Sequence, residues 1–456
     1  MIHPGELTLQ DVRCFHGEQR GSLRPITLLV GENSTGKTTF LGCYHVLHHL
    51  LPGSDFERML DFNEEPFAMG SFRDIVRSGR GPGGRIDEFT LGASFEPPDH
   101  GSLPYRLLVS FSEEGSHPVV SSLHFHFEGG SYVGLRRSGF RNTIFETPDQ
   151  EVTSELPLGI AWTMLEAMFA AEEGLASLMF GRIDGEGGPF TRLRPVYDYL
   201  DGTRKTNARD TRWREKRSGR LPPFDVGSGQ LPRMIPVAPL RSKPRRTYDP
   251  IRDSASPEGE HVPMLMMRLD RTDKPHWTSL HDDLVRFGRA SGLFSNIKVK
   301  RHGRQMSDPF QLQVKVRTGP HANIMDVGYG ISQSLPILVD LMHEERSVFL
   351  LQQPEVHLHP RGQAALASLF IESCKKRGNR FLVETHSDYI VDRVRILVRK
   401  GELKADDVSV LYFEPRGNAV TIHNMTLDQD GNLEGAPEGY RSFFLKETDR
   451  LLGFAE

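Results

Sequence analysis

GENSTGKTTF, residues 31–40, decides the fold. It follows ITLLV (26–30), an apolar run with the pattern of a strand buried on both faces. It precedes Phe40, Tyr44, Leu47 and Leu51, three or four residues apart, so a helix from about Lys37 should turn one face to the core. Gly31, Gly36, Lys37 and Thr38 fill every fixed position of GxxxxGK[ST], in the strand–loop–helix context that this phosphate-binding motif requires. Glycines let the backbone wrap phosphates, and the amides and helix N-terminus face negative charge. Lys37 supplies a point charge and Thr38 a hydroxyl for magnesium. Gly31, Asn33, Ser34, Gly36 and Thr39 complete the candidate nucleotide-binding set.

The chain has 456 residues, 37% apolar and 25% charged, enough for a sizeable core and about two to four domains. A net charge of -4 gives no global positive field to recruit nucleic acid, so any such contact must be local. Cys14, Cys43 and Cys374 are far apart, show no metal-ligand spacing, and suit a reducing cytosol better than a disulfide framework. The start MIHPGELTLQ lacks a leader pattern, and no run of about 18 apolar residues occurs. These features lead to the expectation of a soluble cytoplasmic protein with no membrane contact.

Around the motif, residues 7–30 read as strand, loop and strand. Cys43, His45, His48 and His49 cluster on the following helix, and are read as a helix face rather than a metal site. Residues 52–150 alternate as a β-rich region, with FTLGASFE and LHFHFEGG as examples. A helical piece follows at 162–180, then a polar run with Arg204, Lys205, Arg209, Arg212, Arg214, Lys216, Arg217 and Arg220 around Trp213. After a linker near DSASPEGEHVP, an amphipathic helix is expected at 277–294 and a half-buried strand through Phe310, Leu312, Val314 and Val316. Strand and helix then alternate: a helix after Ser332, the strand SVFLL, a helix from about 361 to 377 stopped by Gly378, and the strand FLVET. That is the grammar of an α/β sheet. DQDG, 428–431, has its glycine fourth, which suits a hairpin turn and not a calcium loop, whose glycine is about sixth.

A second anion site is expected in VGYGISQSLPIL, 327–338. Gly328, Gly330, Ser332 and Gln333 precede a helix striped by Leu335, Leu338, Leu341 and Met342, and a small-residue turn at a helix N-terminus attracts phosphate. Because the chain already carries its own phosphate loop, this spare site could serve a neighbour's nucleotide.

With these motifs in order, the chain resembles the ABC-type ATPases of the SMC, RecF and OLD group, in which two heads sandwich two nucleotides. The resemblance runs through LTLQDVRCF, the P-loop, APLRSKPRRTY, VGYGISQ, QQPEVHLHP, ETHSDYI and GAPEGYRSFFLKETDRLLG. Its last part looks like the tail of OLD-like ATPases of bacterial phage-defence systems, the ATPases of Septu and PARIS systems being similar. The resemblance implies an α/β ABC-type (P-loop) ATPase head with a mixed β-sheet and helices, plus a small helical insertion. The implied division is an N-terminal lobe with the P-loop at 1–150, an insertion with the basic segment at 151–295, and a C-terminal lobe at 296–456. It further implies ATP and Mg²⁺ as ligands, Gly330, Ser332 and Gln333 as nucleotide-binding residues with Ser332 contacting the γ-phosphate bound to the opposite subunit, and His386 as the switch histidine. His357 and His359 would lie in the D-loop at the subunit boundary, and the APLRSKPRR run close to the nucleotide or the insert.

The apolar 348–351 segment is then the Walker B strand, yet Gln352 and Gln353 stand where relatives usually place acids for magnesium and for general-base catalysis. An amide is isosteric with a carboxylate but carries no charge and takes no proton at neutral pH. It can hold water without activating it, and a general base contributes about 10²- to 10⁴-fold in rate. Three accounts stay open: a naturally slow ATPase, a sequence changed to trap ATP, or another carboxylate standing in. Glu355 and Glu384 are the candidates for the last, with Glu384 two residues before His386.

The resemblance thus implies an ATP-dependent dimer acting as sensor or scaffold for a separately encoded effector, a nuclease by analogy. A TOPRIM nuclease domain like that of some OLD enzymes is not expected here, since only about 70 residues of this sequence follow His386. Two alternatives stand beside it. One is a RecF-like DNA-binding repair ATPase, using the 204–220 run and Arg241, Lys243, Arg245 and Arg246. The other is a non-hydrolytic dimer stabilised by ATP.

Overall fold

The computed structural model describes residues 3–49, 61–78, 80–81, 84–95, 104–127, 132–138, 142–156, 158, 160–161, 232–249, 256–305, 307–441 and 449–452. The helix expected at 162–180 and the basic run at 204–220 lie outside the described residues. The chain forms two compact units: Met1–Gly21, Gly42–Pro232 and Gly417–Thr421 make one, and Ser22–Leu41, Arg233–Arg416 and Ile422–Glu456 the other.

The chain opens with β1 (Glu6–Gln10), β2 (Glu18–Ser22), β3 (Ile26–Gly31), helix α1 (Lys37–His48) and the single turn α2 (Phe72–Ile75). A short pair follows, β4 (Arg80–Gly81) and β5 (Gly84–Arg85), then β6 (Glu88–Phe95), β7 (Tyr105–Glu114) and β8 (His117–Phe127). The first unit is completed by β9 (Tyr132–Ser138), β10 (Asn142–Glu146) and β11 (Glu151–Ser154). Its sheet has eight strands in the order β11-β10-β9-β8-β7-β6-β1-β2. β7 shows why it forms: Tyr105, Leu107, Val109 and Phe111 are buried while the residues between them are half-exposed, the period of a one-faced strand. Phe111 stacks on Phe89 of β6 with ring centroids 4.9 Å apart.

The second unit continues with β12 (Met234–Val237), α3 (Val262–Thr272), α4 (Lys274–Ser291), β13 (Asn296–Arg301), β14 (Phe310–Lys315) and β15 (His321–Asn323). After these come α5 (Tyr329–His343), β16 (Val348–Gln352), α6 (Pro360–Arg377), β17 (Arg380–Glu384) and α7 (Asp388–Arg399). β18 (Val408–Arg416), β19 (Ala419–Leu427) and β20 (Leu433–Glu434) close it. Its main sheet runs β12-β16-β17-β3-β18-β19-β20. The first five strands are parallel and β20 is antiparallel to β19, so the sheet is mixed. Val348, Phe349, Leu350 and Leu351 of β16 are fully buried, each adding roughly 1.5–3 kcal/mol of burial free energy. Register sets the site: Leu29 of β3 pairs with Glu384 of β17, which pairs with Gln352 of β16, so three carboxyl ends align beside the loop that follows β3.

The expected strand through Phe310, Leu312 and Val314 is β14, with those three residues buried. Leu280, Leu284 and Phe287 give α4 the expected apolar stripe, and Gly378 ends α6 with φ 68°. DQDG turns between β19 and β20, where the Asp428 carboxylate accepts from the Asn432 amide at 2.7 Å. Two expectations need correction. The helix expected after Ser332 begins three residues earlier, at Tyr329, because Gly328 takes an extended conformation and caps it, leaving Pro336 inside the helix. Helix α1 was expected to bury one face, but residues 39–47 are buried without interruption. Gly42 lets Phe67 and Met69 close over the side opposite the apolar stripe, a Cβ there meeting their atoms at 3.2 and 3.1 Å. No helix among the described residues is long and apolar enough to cross a membrane.

Candidate functional site

At the end of β3 the chain turns through Gly31 (φ 146°), Ser34 (φ 62°) and Gly36 (φ 85°). Only glycine suits position 31, since an added Cβ would sit 2.8 Å from the Phe413 carbonyl oxygen. Lys37 is 2% exposed, and its Nζ donates to the carbonyl oxygens of Gly31 (3.1 Å) and Glu32 (2.5 Å). Burial holds this ammonium below its usual pKa, opposed by the charges of Glu384, Glu32 and Glu355. Asn33 and Ser34 are exposed at the loop tip, and Thr39 is buried in the first turn of α1.

An acid stands one strand over from Gln352, at its register partner Glu384. Thr38 Oγ1 donates to Glu384 Oε2 at 2.7 Å, joining the motif hydroxyl to an acid at the end of β17. Burial raises the Glu384 pKa, against the Thr38 hydrogen bond and the Lys37 charge. Gln352 is 5% exposed, and its Nε2 is enclosed without a hydrogen-bond partner among the described residues. Exchanging the two ends of that amide presents an oxygen instead. A hydroxyl, a carboxylate and an amide oxygen are hard oxygen donors of the kind that suits Mg²⁺ together with phosphate oxygens. Gln353 is half-buried with φ 42°, and its amide donates to the Glu384 carbonyl at 2.8 Å.

Glu355 lies beside the same edge. Its Oε1 accepts from the His386 amide at 2.8 Å, while Oε2 is enclosed and makes no close hydrogen bond among the described residues, the Thr385 hydroxyl being the neighbour on hand. Burial, the largest cause, lifts its pKa above the ordinary carboxylate value. Below the unfolded-state pKa the carboxyl is neutral folded and unfolded, and stability is unaffected. As pH rises through the folded value, ionisation is harder in the folded protein and stability falls. Glu355→Gln keeps an oxygen for the His386 amide and removes that cost. Thermal melts without nucleotide should therefore show the variant gaining on the parent as pH rises above the ordinary glutamate pKa, and an unchanged gap would contradict this account. His386 is exposed, with its ring held below its usual pKa by partial burial and then by Lys37.

The second expected anion site stands at the start of α5. Ser332 Oγ donates to the Tyr329 carbonyl at 2.9 Å, and among the described residues neither Ser332 nor Gln333 bonds a P-loop residue. Gln333 instead pairs with Arg241, which is 4% exposed. Arg241 Nε donates to the Gln333 carbonyl at 2.9 Å, and its remaining nitrogens reach the carbonyls of Pro239 (2.7 Å) and Pro354 (3.5 Å). Burial lowers its pKa to about 10. This guanidinium thus ties the start of α5 to the loop after β16. Read by charge alone it belongs to a basic run, but it is not available to nucleic acid. Arg246 of the same run is paired with both Asp326 oxygens, at 3.0 and 2.6 Å, and Lys243 and Arg245 are exposed. The buried role of Arg241 was missed because nothing in its neighbours' spacing distinguishes a lining arginine from a solvated one.

The loop after β16 also meets α5 through backbone. A Cβ on Gly330 would lie 2.6 Å from the His357 carbonyl oxygen, and the Tyr329 and His357 rings contact edge-on at 4.9 Å. Gly330→Ala should cost about 1–3 kcal/mol by overpacking, seen as a lower denaturation midpoint; an unchanged midpoint would mean the approach relaxes freely. His359 caps α6, its Nδ1 accepting from the Arg361 amide at 3.3 Å.

Residues 250–392 match the family model described as "AAA domain, putative AbiEii toxin, Type IV TA system". That span holds the start of α5, β16, β17 and His386, and the P-loop lies before it. No curated protein matches the chain. Among solved structures, the chain is similar to an SMC head bound to the C-terminal winged-helix domain of ScpA, with 11% identity, 94% of this chain and 98% of that chain covered, and a TM-score of 0.44. It is also similar to an Smc head with an extended coiled coil bound to the C-terminal domain of ScpA, from Pyrococcus furiosus, at 12% identity, 99% coverage of both chains and a TM-score of 0.43. An SMC head from Thermotoga maritima has 10% identity, coverage of 92% and 98%, and a TM-score of 0.37. The match of residues 250–392 to an AAA-domain model and the P-loop at the end of a parallel strand together support a P-loop nucleotide-binding protein of the AAA type.

Proposed function

We propose that this chain is a slow ATP-driven switch. Two copies close around two nucleotides, and the closed dimer binds and restrains a separately encoded effector, a nuclease, in defence against phage. The observation that carries the nucleotide part is the 2.7 Å bond from Thr38 to Glu384 beside Lys37, with amides at 352 and 353. The match of residues 250–392 to a model described as "AAA domain, putative AbiEii toxin, Type IV TA system" is what supports the defence setting.

In this reading the P-loop amides and Lys37 hold the β- and γ-phosphates. Magnesium, when bound, neutralises charge developing on the transferred phosphoryl group. Thr38, Glu384 and the Gln352 amide would hold that ion, and Glu384 is the one ionisable member. Gln353 positions the attacking water without accepting its proton, so bond breaking is slow and the closed state is long-lived. His386 senses the γ-phosphate from the same chain. Ser332, Gly330 and Gln333 meet it from the other copy. Arg241 keeps that turn in register with the loop that carries Gln353, so closure and water placement are coupled.

The test is to size the purified chain by light scattering with and without ATP and magnesium, and to mix the ATP-bound form with the protein encoded beside it. Dimer formation with ATP and capture of that protein are expected. A chain that stays monomeric at saturating ATP, or a closed dimer that ignores the neighbouring protein, would overturn the corresponding half of the reading.

A further inference from the structure

The histidines on α1 present a second chemistry. His45 and His49 are four residues apart at the end of the helix, and Glu64 comes from the turn at 61–70 in the same unit. One ligand atom from each of the three lies within 4.8 Å of the others. His49 Nε2 and Glu64 Oε2 are 3.6 Å apart, and the His45 and His49 rings stand edge-on at 5.2 Å. In a tetrahedral zinc site with bonds of about 2.0–2.1 Å, neighbouring ligand atoms are about 3.3 Å apart, so small side-chain rotations complete the set.

We propose that His45, His49 and Glu64 form a site for a borderline divalent cation, Zn²⁺ being the best match, with water as the fourth ligand. Two imidazoles and one carboxylate suit zinc and its neighbours and not magnesium or calcium, which prefer all-oxygen sets.

The turn that offers Glu64 is braced independently of any ion. The Asn63 side chain bonds both ways to Gly70, at 2.6 and 3.2 Å, and Asp61 accepts from the Asn63 amide at 2.7 Å. Phe62, Phe67 and Met69 are buried, and Phe67 lies against His45 with ring centroids 5.4 Å apart. The helix end and the backbone of the turn are therefore held by packing and hydrogen bonds, while the Glu64 side chain reaches the site from an exposed position. His48 is engaged elsewhere, its Nε2 lying 3.0 Å from the Pro232 carbonyl oxygen. A simple His49–Glu64 ion pair accounts for two members but leaves a second imidazole, His45, 5% exposed in the same cluster. Bound metal would pin the end of the helix that begins at the P-loop lysine to the 61–70 turn.

The test uses the full chain without an affinity tag, stripped with chelator and free of nucleotide. Zn²⁺ is titrated against a colorimetric chelator, and Co²⁺ is followed by its visible absorption. The expected result is about one tight equivalent per chain, an intense Co²⁺ band diagnostic of tetrahedral geometry, and a higher melting temperature with metal. In His49→Asn, at a half-buried position, and Glu64→Gln, at an exposed one, affinity should fall on the order of 100-fold or more while the metal-free melting temperature stays near the parent's. A parent chain with no such equivalent, or variants that keep it, would overturn the site. A metal-free melt lowered in the variants, with no zinc effect on the parent, would reduce the cluster to packing.

Discussion

Glu384→Gln is expected to lower magnesium-dependent ATP turnover by about 10²- to 10⁴-fold, the scale of several kcal/mol that a held metal ion supplies. Gln352 and Gln353 carry no charge, and Glu384 is the acid that Thr38 bonds, at 2.7 Å. A glutamine keeps an oxygen to accept that bond, so the loop should hold its shape while losing its anionic ligand. Phosphate release measured across a magnesium titration separates the cases: a rightward shift with a lower ceiling is the expected result. Unchanged turnover would move the acid to Glu355, and Glu355→Gln would then be the variant that fails. The pH dependence carries a sign of its own. Burial raises the Glu384 pKa, so the charged form needed for metal is lost sooner on acidification than for an ordinary glutamate, and parent turnover should decline on the acid side of that raised value.

Why the sequence reached the loop but not its partner follows from distance along the chain. The phosphate loop is local: glycines, lysine, threonine, a preceding apolar strand and a following helix all lie within one short segment. The same holds for β14, whose period of two is written in Phe310, Leu312 and Val314. The Thr38–Glu384 bond depends on β17 pairing between β16 and β3, a long-range choice that no spacing encodes, although the position of Glu384 just before His386 made it a candidate. Helix α1 shows the opposite failure. Its apolar stripe was legible, but the cover over its other side comes from Phe67 and Met69 beyond it, and Gly42 was the quiet signal that something packs closely there. His45 and His49 were visible as histidines, whereas Glu64, in the acidic stretch NEEP, gave no sign that it would meet them. Arg241 was counted as surface charge because burial of an arginine among carbonyls depends on the turn at Gln333 and Pro354.

The reciprocal change, Gln353→Glu, should raise turnover by about 10²- to 10⁴-fold if the missing general base is what makes the switch slow. The substitution is isosteric, and the backbone there already adopts φ 42° with its amide bonded to the Glu384 carbonyl, so neither shape nor turn should change. The new carboxylate would lie near Glu384 and Glu355, whose charges favour its protonated form, and it becomes a better base as its pKa approaches the working pH. Single-turnover phosphate release should accelerate, and sizing in ATP should show a dimer that forms and then decays instead of persisting. Gln352→Glu is the informative contrast: an acid there adds a metal ligand, so it should tighten magnesium dependence with a smaller gain in rate. If Gln353→Glu leaves both rate and dimer lifetime unchanged, water activation does not limit the cycle, and opening of the closed pair becomes the slow step.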